Sequence, residues 1–308
     1  MTWQLDEMPD QTGRIVLITG TSVGGLGHYT ALELARRGAT VLLAGRNEPK
    51  LKSTEAAIRE DVPAARLQRV VVDLADLSSV RRAAGHVSEL HVLVNNAGIM
   101  APSYSRTVDG FESQLGTNHF GPFLLTGLLL PRLREAAEAG QDARVVTVSS
   151  MMHRTARSAP LEDPRAEHGR YLRWPEYSRS KLANLLFTFE LDRRLRDAAI
   201  DVKALAAHPG FAGTHLVANG QLGRTTGSIA SILEAAVKAV SQSPASGALP
   251  TLMAATADLP SATYCGPSGF NEMRGNPHVV GASSLARDTD AQHRLWEISE
   301  EAVGLSWP

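Results

Sequence analysis

The 308-residue chain has one cysteine, Cys265, so it has no intramolecular disulfide, and no Cys/His cluster has the spacing of a zinc site. It also lacks net charge: 31 Lys and Arg against 32 Asp and Glu leave −1 at pH 7. With no excess of either sign there is no long-range field to draw in nucleic acid or an acidic membrane, so a role on either is disfavoured. Long hydrophobic runs are missing too. The most apolar stretch, Phe123–Leu130, falls far short of the ~20 residues that cross a bilayer. The opening segment, MTWQLDEMPDQTG, is polar and carries acids, unlike a signal peptide. Together these absences predict a cytoplasmic protein in a reducing setting, with no metal, no nucleic-acid partner and no membrane anchor.

What is present is ordinary for a globular enzyme, 43% hydrophobic and 20% charged, which rules against disorder. Short apolar runs at Arg14–Thr19, Thr40–Ala44, Leu67–Val72, His91–Asn95, Arg144–Ser149 and Val202–Ala207 predict strands. Between them, Leu26–Arg37, Pro49–Glu60, Leu77–Val87, Phe111–Leu133 and Glu176–Asp197 predict helices. Strands this apolar, separated by helices of this length, imply an α/β fold: a doubly wound parallel sheet of the Rossmann type in three α/β/α layers. No linker interrupts the pattern, so a single domain over residues 1–308 is expected. Two segments break the rhythm: an insertion loop at 151–175, and a substrate-binding loop and helix at 211–245, helical near Ile229–Val240. Residues 261–308 are taken as a C-terminal extension. The side chains of Phe211, Leu216, Val217, Leu222 and Ile229 mark the second segment as a wall for an apolar substrate.

The first strand runs into Thr19-Gly20-Thr21-Ser22-Val23-Gly24-Gly25-Leu26-Gly27 and then a helix. A glycine-rich strand-to-helix turn lets backbone N–H groups approach a pyrophosphate at a helix N-terminus. The second strand ends Gly45-Arg46-Asn47 with no acid nearby, which suits the 2′-phosphate of NADP better than the free ribose of NAD. A solvated helix-entry arginine is the plainer reading. Asp73 and Leu74 close the third strand and Asn95-Asn96-Ala97-Gly98 the fourth, both at the edge where a dinucleotide lies. There Asp73 can accept from an adenine amino group, and Ala97 and Gly98 let the backbone pass close to a ribose.

Tyr177 and Lys181 are four apart on a predicted helix, so phenol and ammonium share a face. A nearby cation lowers a tyrosine pKa from ~10 toward working pH, where a general acid/base is most useful. Ser149 and Ser150 end the fifth strand, where a hydroxyl can bond a substrate oxygen as charge develops on it. Taken alone, the two serines read equally well as strand caps.

The turn at Thr19–Gly27, Asp73-Leu74, Asn95–Gly98, Asn118, Ser149-Ser150, Tyr177–Lys181 and His208-Pro209-Gly210 follow the order of the short-chain dehydrogenase/reductase family, and residues 10–215 resemble it. Tyr177-Ser-Arg-Ser-Lys-Leu-Ala-Asn184, with a long gap after Ser150, is similar to the retinol-dehydrogenase and protochlorophyllide-reductase branch. Tyr264–Gly269 and Leu295-Trp296-Glu297 resemble its bacterial members. The resemblance implies Tyr177 as general acid/base, with Lys181 binding the nicotinamide ribose and holding the Tyr177 pKa down. It implies Ser150 as the group that positions the substrate oxygen and Asn118 as holder of a proton-relay water. Cofactor contacts are implied for Gly20, Ser22, Gly25, Leu26, Gly27, Arg46, Asp73, Leu74, Asn95, Asn96, Ala97 and Gly98. At the nicotinamide end they are implied for Pro209, Gly210 and Thr214. The family turn, Thr-Gly-x-x-x-Gly-x-Gly, is not matched in register. Either the loop carries one extra residue, or Gly24 takes the middle position and Leu26 replaces the last glycine.

The reading is therefore an NADP(H)-dependent oxidoreductase acting on a carbonyl or alcohol of an apolar small molecule, with a homo-oligomer possible. Its rivals are a non-catalytic NADP(H)-binding sensor of the same fold and a light-dependent reductase of a tetrapyrrole.

Overall fold

A computed structural model describes residues 3–161, 164–165, 170–211 and 242–308. In chain order its principal elements are β1 (Ile15–Thr19), α1 (Leu26–Arg36), β2 (Thr40–Gly45), α2 (Glu48–Asp61), β3 (Arg66–Val71), α3 (Leu77–Ala84), β4 (Val92–Asn95), α4 (Ser113–Leu115) and α5 (Gly121–Glu138). There follow β5 (Ala143–Val148), α6 (Arg173–Asp197), β6 (Val202–Ala207), α7 (Pro244–Thr256), β7 (Tyr264–Pro267), β8 (Pro277–Val279) and α8 (Thr289–Val303). All eight strands form one sheet in the order β3-β2-β1-β4-β5-β6-β7-β8. The first seven are parallel, and β8 turns back antiparallel on β7.

Central strands such as Ile15-Val-Leu-Ile-Thr19 are apolar at every position because both faces of the sheet are covered. One face packs on α1, α2 and α7 through Ala31, Leu34, Ile58 and Leu252. The other packs on α3, α5, α6 and α8 through Val80, Phe123, Leu186 and Trp296. The strand order reverses between β1 and β4, and a crevice opens there at the carboxyl ends of the strands.

The six strands expected from apolar runs are present within a residue or so of the expected ends. The sheet, however, extends further. Within residues 261–308, β7 and β8 continue the sheet and α8 covers it. The expected continuous helix Phe111–Leu133 also differs. Glu112 caps α4 by accepting from the N–H groups of Gln114 and Leu115, a π-turn spans Gly116–Phe120, and only then does α5 begin. α6 begins at Arg173, three residues early, because its first turn tolerates Pro175. The expected helix near Ile229–Val240, with Leu216, Val217, Leu222 and Ile229, lies outside the described residues.

Candidate active site

Between β1 and α1 the chain turns sharply, with Gly20 at φ +75° and Gly24 at φ +77°. Such left-handed angles favour glycine. A Cβ on Gly27 would lie 2.6 Å from the Gly20 carbonyl oxygen and from Asn96 Nδ2, so Gly27 is the glycine that lets α1 pack against the turn. The position that packs without a Cβ is thus Gly27 rather than Leu26, with Gly24 and Gly25 both in the turn before it. This stretch is secured locally, since the Gly24 N–H donates to His28 Nδ1 at 3.2 Å. The turn is also stapled to β4. Asn96 Nδ2 donates to the Thr19 carbonyl at 2.7 Å, and Thr19 Oγ1 accepts from the N–H groups of Asn96 and Ala97 at 3.0 Å each.

Beside this turn lies a cleft of about 390 Å³, lined by Gly20, Ser22, Gly25, Leu26, Arg46, Asp73, Leu74, Asn96, Ala97 and Gly98, among others. Sequence reasoning missed Lys50, which lines the cleft with Arg46. Asn47 places it there by accepting the Lys50 N–H at 2.9 Å and so starting α2. An N-cap asparagine three residues ahead of a lysine was the available signal. Gly27, Asn95, Pro209 and Gly210, all expected as contacts, are not among the residues that line this cleft. The Asn95 side chain points back into the fold and donates to Thr126 Oγ1 at 2.9 Å. Pro209 and Gly210 follow β6 and are not among the cleft's lining residues, while Thr214 lies outside the described residues.

The lining suits a nicotinamide dinucleotide on two observations. Thr21 Oγ1 is buried with no hydrogen-bond partner among the described residues. A Cβ on Gly98 would come within 3.0 Å of Asn118 Oδ1 and 3.3 Å of Lys181 Nζ, so the bare backbone there keeps a path open between cleft and lysine.

Tyr177 and Lys181 both lie on α6 and are buried. Lys181 Nζ donates to the Val148 carbonyl at 3.1 Å and stands 5.9 Å from the centre of the Tyr177 ring. The shared face is as expected, but the expected direction of the tyrosine shift is not. Burial pushes the phenol up to about 12, and only a hydrogen bond with the Ser150 side chain pulls it down. Burial likewise brings the Lys181 ammonium down to about 8. For both groups the cost of burying a charge is the dominant cause.

The two serines separate cleanly. Ser149 Oγ donates to the Lys181 carbonyl at 2.7 Å and braces α6, whereas Ser150 stands beside the phenol. Asn118, on the π-turn, accepts the Ile99 N–H at 2.8 Å and donates to the Ile99 carbonyl and to Ser180 Oγ at 2.9 Å each. Its amide ties the strand-end loop after β4 to α6, and both its N–H donors are used. Cys265 is buried in β7, and burial pushes its thiol up to about 12, so it is inert.

A model of the short chain dehydrogenase family matches residues 14–160. Human retinol dehydrogenase 12 is 38% identical over 303 residues, covering 96% of this chain and 88% of its own. Human retinol dehydrogenase 13 is 35% identical over 306 residues, covering 96% and 86%. The crystal structure of an uncharacterized protein from Mycobacterium paratuberculosis is 43% identical and superposes with a TM-score of 0.82 over 100% of both chains. A short chain dehydrogenase from Shigella flexneri complexed with NADP shares the fold, with a TM-score of 0.61 and 22% identity over 84% of this chain and 98% of its own. The chain belongs to the short-chain dehydrogenase family, and within it to the retinol-dehydrogenase-like branch. It is thus an oxidoreductase acting on alcohol or carbonyl groups, in a family that uses a nicotinamide dinucleotide. Among the described residues no helix is long and apolar enough to cross a membrane.

Proposed function

We propose that the protein exchanges hydride between NADP(H) and a carbonyl or alcohol of an apolar small molecule, with Tyr177 as the general acid/base. The observation that carries this reading is the convergence of Ser150, Tyr177, Lys181 and Asn118 at the carboxyl ends of β4 and β5, next to a cleft furnished with Arg46 and Lys50. The turn Gly20–Gly27, Asp73, Leu74 and Ala97–Gly98 would hold the dinucleotide, with Arg46 and Lys50 on its 2′-phosphate. When bound, the cofactor supplies the hydride donor or acceptor.

The Ser150 hydroxyl holds the substrate oxygen beside the Tyr177 phenol. In reduction the phenol gives its proton to that oxygen, and in oxidation the phenolate takes it back. Lys181, still charged at neutral pH with its pKa near 8, steadies the phenolate. Asn118, held in place by its bonds to Ile99 and Ser180, is assigned to hold the water that relays protons to Lys181. Pro209, Gly210 and Thr214 are assigned to the nicotinamide side.

Purified protein mixed with NADPH and a panel of apolar aldehydes and ketones is expected to consume NADPH. Tyr177→Phe should lower turnover by ~10²-fold or more while keeping NADPH binding. Near-normal turnover in that variant, or no dinucleotide binding by the wild type, would sink the proposal.

A further inference from the structure

The turn between β7 and β8 holds two consecutive non-glycine residues in the left-handed region, Asn271 at φ +49° and Glu272 at φ +57°. Backbone strain of this kind persists only where the surroundings impose it. Here the surroundings are the 3-10 helix that follows Ser150 and the loop that follows β6. Glu272 Oε1 accepts from Arg154 at 2.8 Å, and Arg154 lies on the 3-10 helix Met151–Thr155 that Ser150 caps. Glu272 Oε2 pairs with His208 Nε2 at 3.0 Å, and His208 begins the loop after β6. The same turn bonds that loop a second time, through Phe211 N–H to the Met273 carbonyl at 2.8 Å.

The histidine's tautomer follows from its partners. The Gly210 N–H donates to His208 Nδ1 at 3.2 Å, so Nδ1 is bare and Nε2 carries the proton that Glu272 accepts. His208 is fully buried, and burial holds its pKa below the usual imidazole value, in keeping with a neutral ring. Burial alone would raise the Glu272 carboxyl, but its bonds to His208 and Arg154 overcome this and hold it at about 2. The bridge therefore stays charged throughout the ordinary pH range. Gly210, at φ +64°, sits beneath it, and a Cβ there would come within 2.5 Å of the Met273 carbonyl oxygen.

We propose that Glu272 is a positioning residue for the reaction. By fixing the His208 tautomer that holds the Gly210 N–H, and by gripping Arg154 behind Ser150, it sets the nicotinamide-side loop against the group that holds the substrate oxygen. This rests on the oxidoreductase reading above and adds to it a residue from the far end of the chain.

The test compares wild type, Glu272→Ala and Glu272→Gln. It measures NADPH binding, binding of an adenosine bisphosphate fragment that lacks the nicotinamide, steady-state turnover, and the His208 imidazole signals by nitrogen NMR. Glu272→Ala should lose about tenfold or more in both NADPH affinity and kcat, while fragment affinity stays within about twofold. Its His208 should no longer show the single Nε2–H tautomer. Glu272→Gln, whose amide oxygen can still accept from Nε2–H but cannot pair with Arg154, should recover part of each loss. Three outcomes would overturn the inference: NADPH binding and kcat near wild type in Glu272→Ala, equal losses of fragment and NADPH binding, or an unchanged His208 tautomer. If Glu272→Ala fails to fold, wild-type behaviour of Glu272→Gln overturns it. A wild type that binds the fragment and NADPH equally weakly and turns nothing over would instead sink the oxidoreductase reading, and this one with it.

Discussion

Single side chains set two predictions. The Lys181 pKa is depressed by burial, so in the folded protein the ammonium is charged below about 8 and neutral above it. The rate of carbonyl reduction should therefore fall as pH rises through about 8, because the charge that steadies the phenolate is lost. Folding linkage has the opposite sign. The unfolded chain keeps this proton up to ~10.4, so between about pH 8 and 10 this residue's contribution makes the fold more stable as pH rises. A pH–rate profile with no alkaline limb below about pH 10 would show that Lys181 is not the controlling group. The second prediction concerns cofactor choice. Arg46→Ala and Lys50→Ala should each weaken NADPH binding by about tenfold with little effect on NADH, measured as separate dissociation constants. Equal losses for both cofactors would place these cations elsewhere than on a 2′-phosphate. Of the pair only Arg46 was legible in the sequence, since it directly follows the strand. Lys50 reaches the cleft from a different element. Asn95 and Asn96 carry a related lesson. Neighbours at a strand end face opposite ways, so only one of two adjacent asparagines can line the cleft, and Asn96 does.

For elements, period and apolarity revealed what is regular and missed what departs from regularity. The strands β1 to β6 were legible because strands covered on both faces are apolar at every position. β7 was not, for Tyr264-Cys-Gly-Pro267 is short and mixes glycine and proline, and its strand character comes from pairing with β6. The π-turn at Gly116–Phe120 was not legible, being a change of hydrogen-bond register between two helical segments, α4 and α5. The glycine turn was half legible: its mismatch with the family register could be seen, but not whether Leu26 or Gly27 takes the packing position. Gly27→Ala tests that assignment. The added methyl has no room beside the Gly20 carbonyl and Asn96, so α1 must shift away from the turn. Dinucleotide affinity should fall by about tenfold or more, with a lower melting temperature. Unchanged binding would mean that Gly27 is not the packing glycine.

At the scale of the whole molecule, the last residues complete a layer rather than trail from it. Trp307 is buried, with its ring 4.5 Å from that of Trp296 and 5.0 Å from that of Phe123, which closes the aromatic cluster between α5, α6 and α8. Trp307→Ala should destabilise the fold by about 3–5 kcal/mol in denaturant unfolding while leaving NADPH affinity unchanged, because the cleft is elsewhere. A loss below about 1 kcal/mol would show the cluster to be loosely packed.

The antiparallel strand β8 has a consequence for how copies of the chain can meet. A parallel sheet ending at β7 would present an open row of backbone donors and acceptors to any passing strand. Instead the rim is a ribbon of only three residues, one of them a proline with no N–H to offer, while the opposite rim, β3, displays Arg66 and Arg69. Both margins resist growth by strand addition. Among the described residues, then, neither rim of the sheet offers another copy of the chain a long, flat strand to pair with.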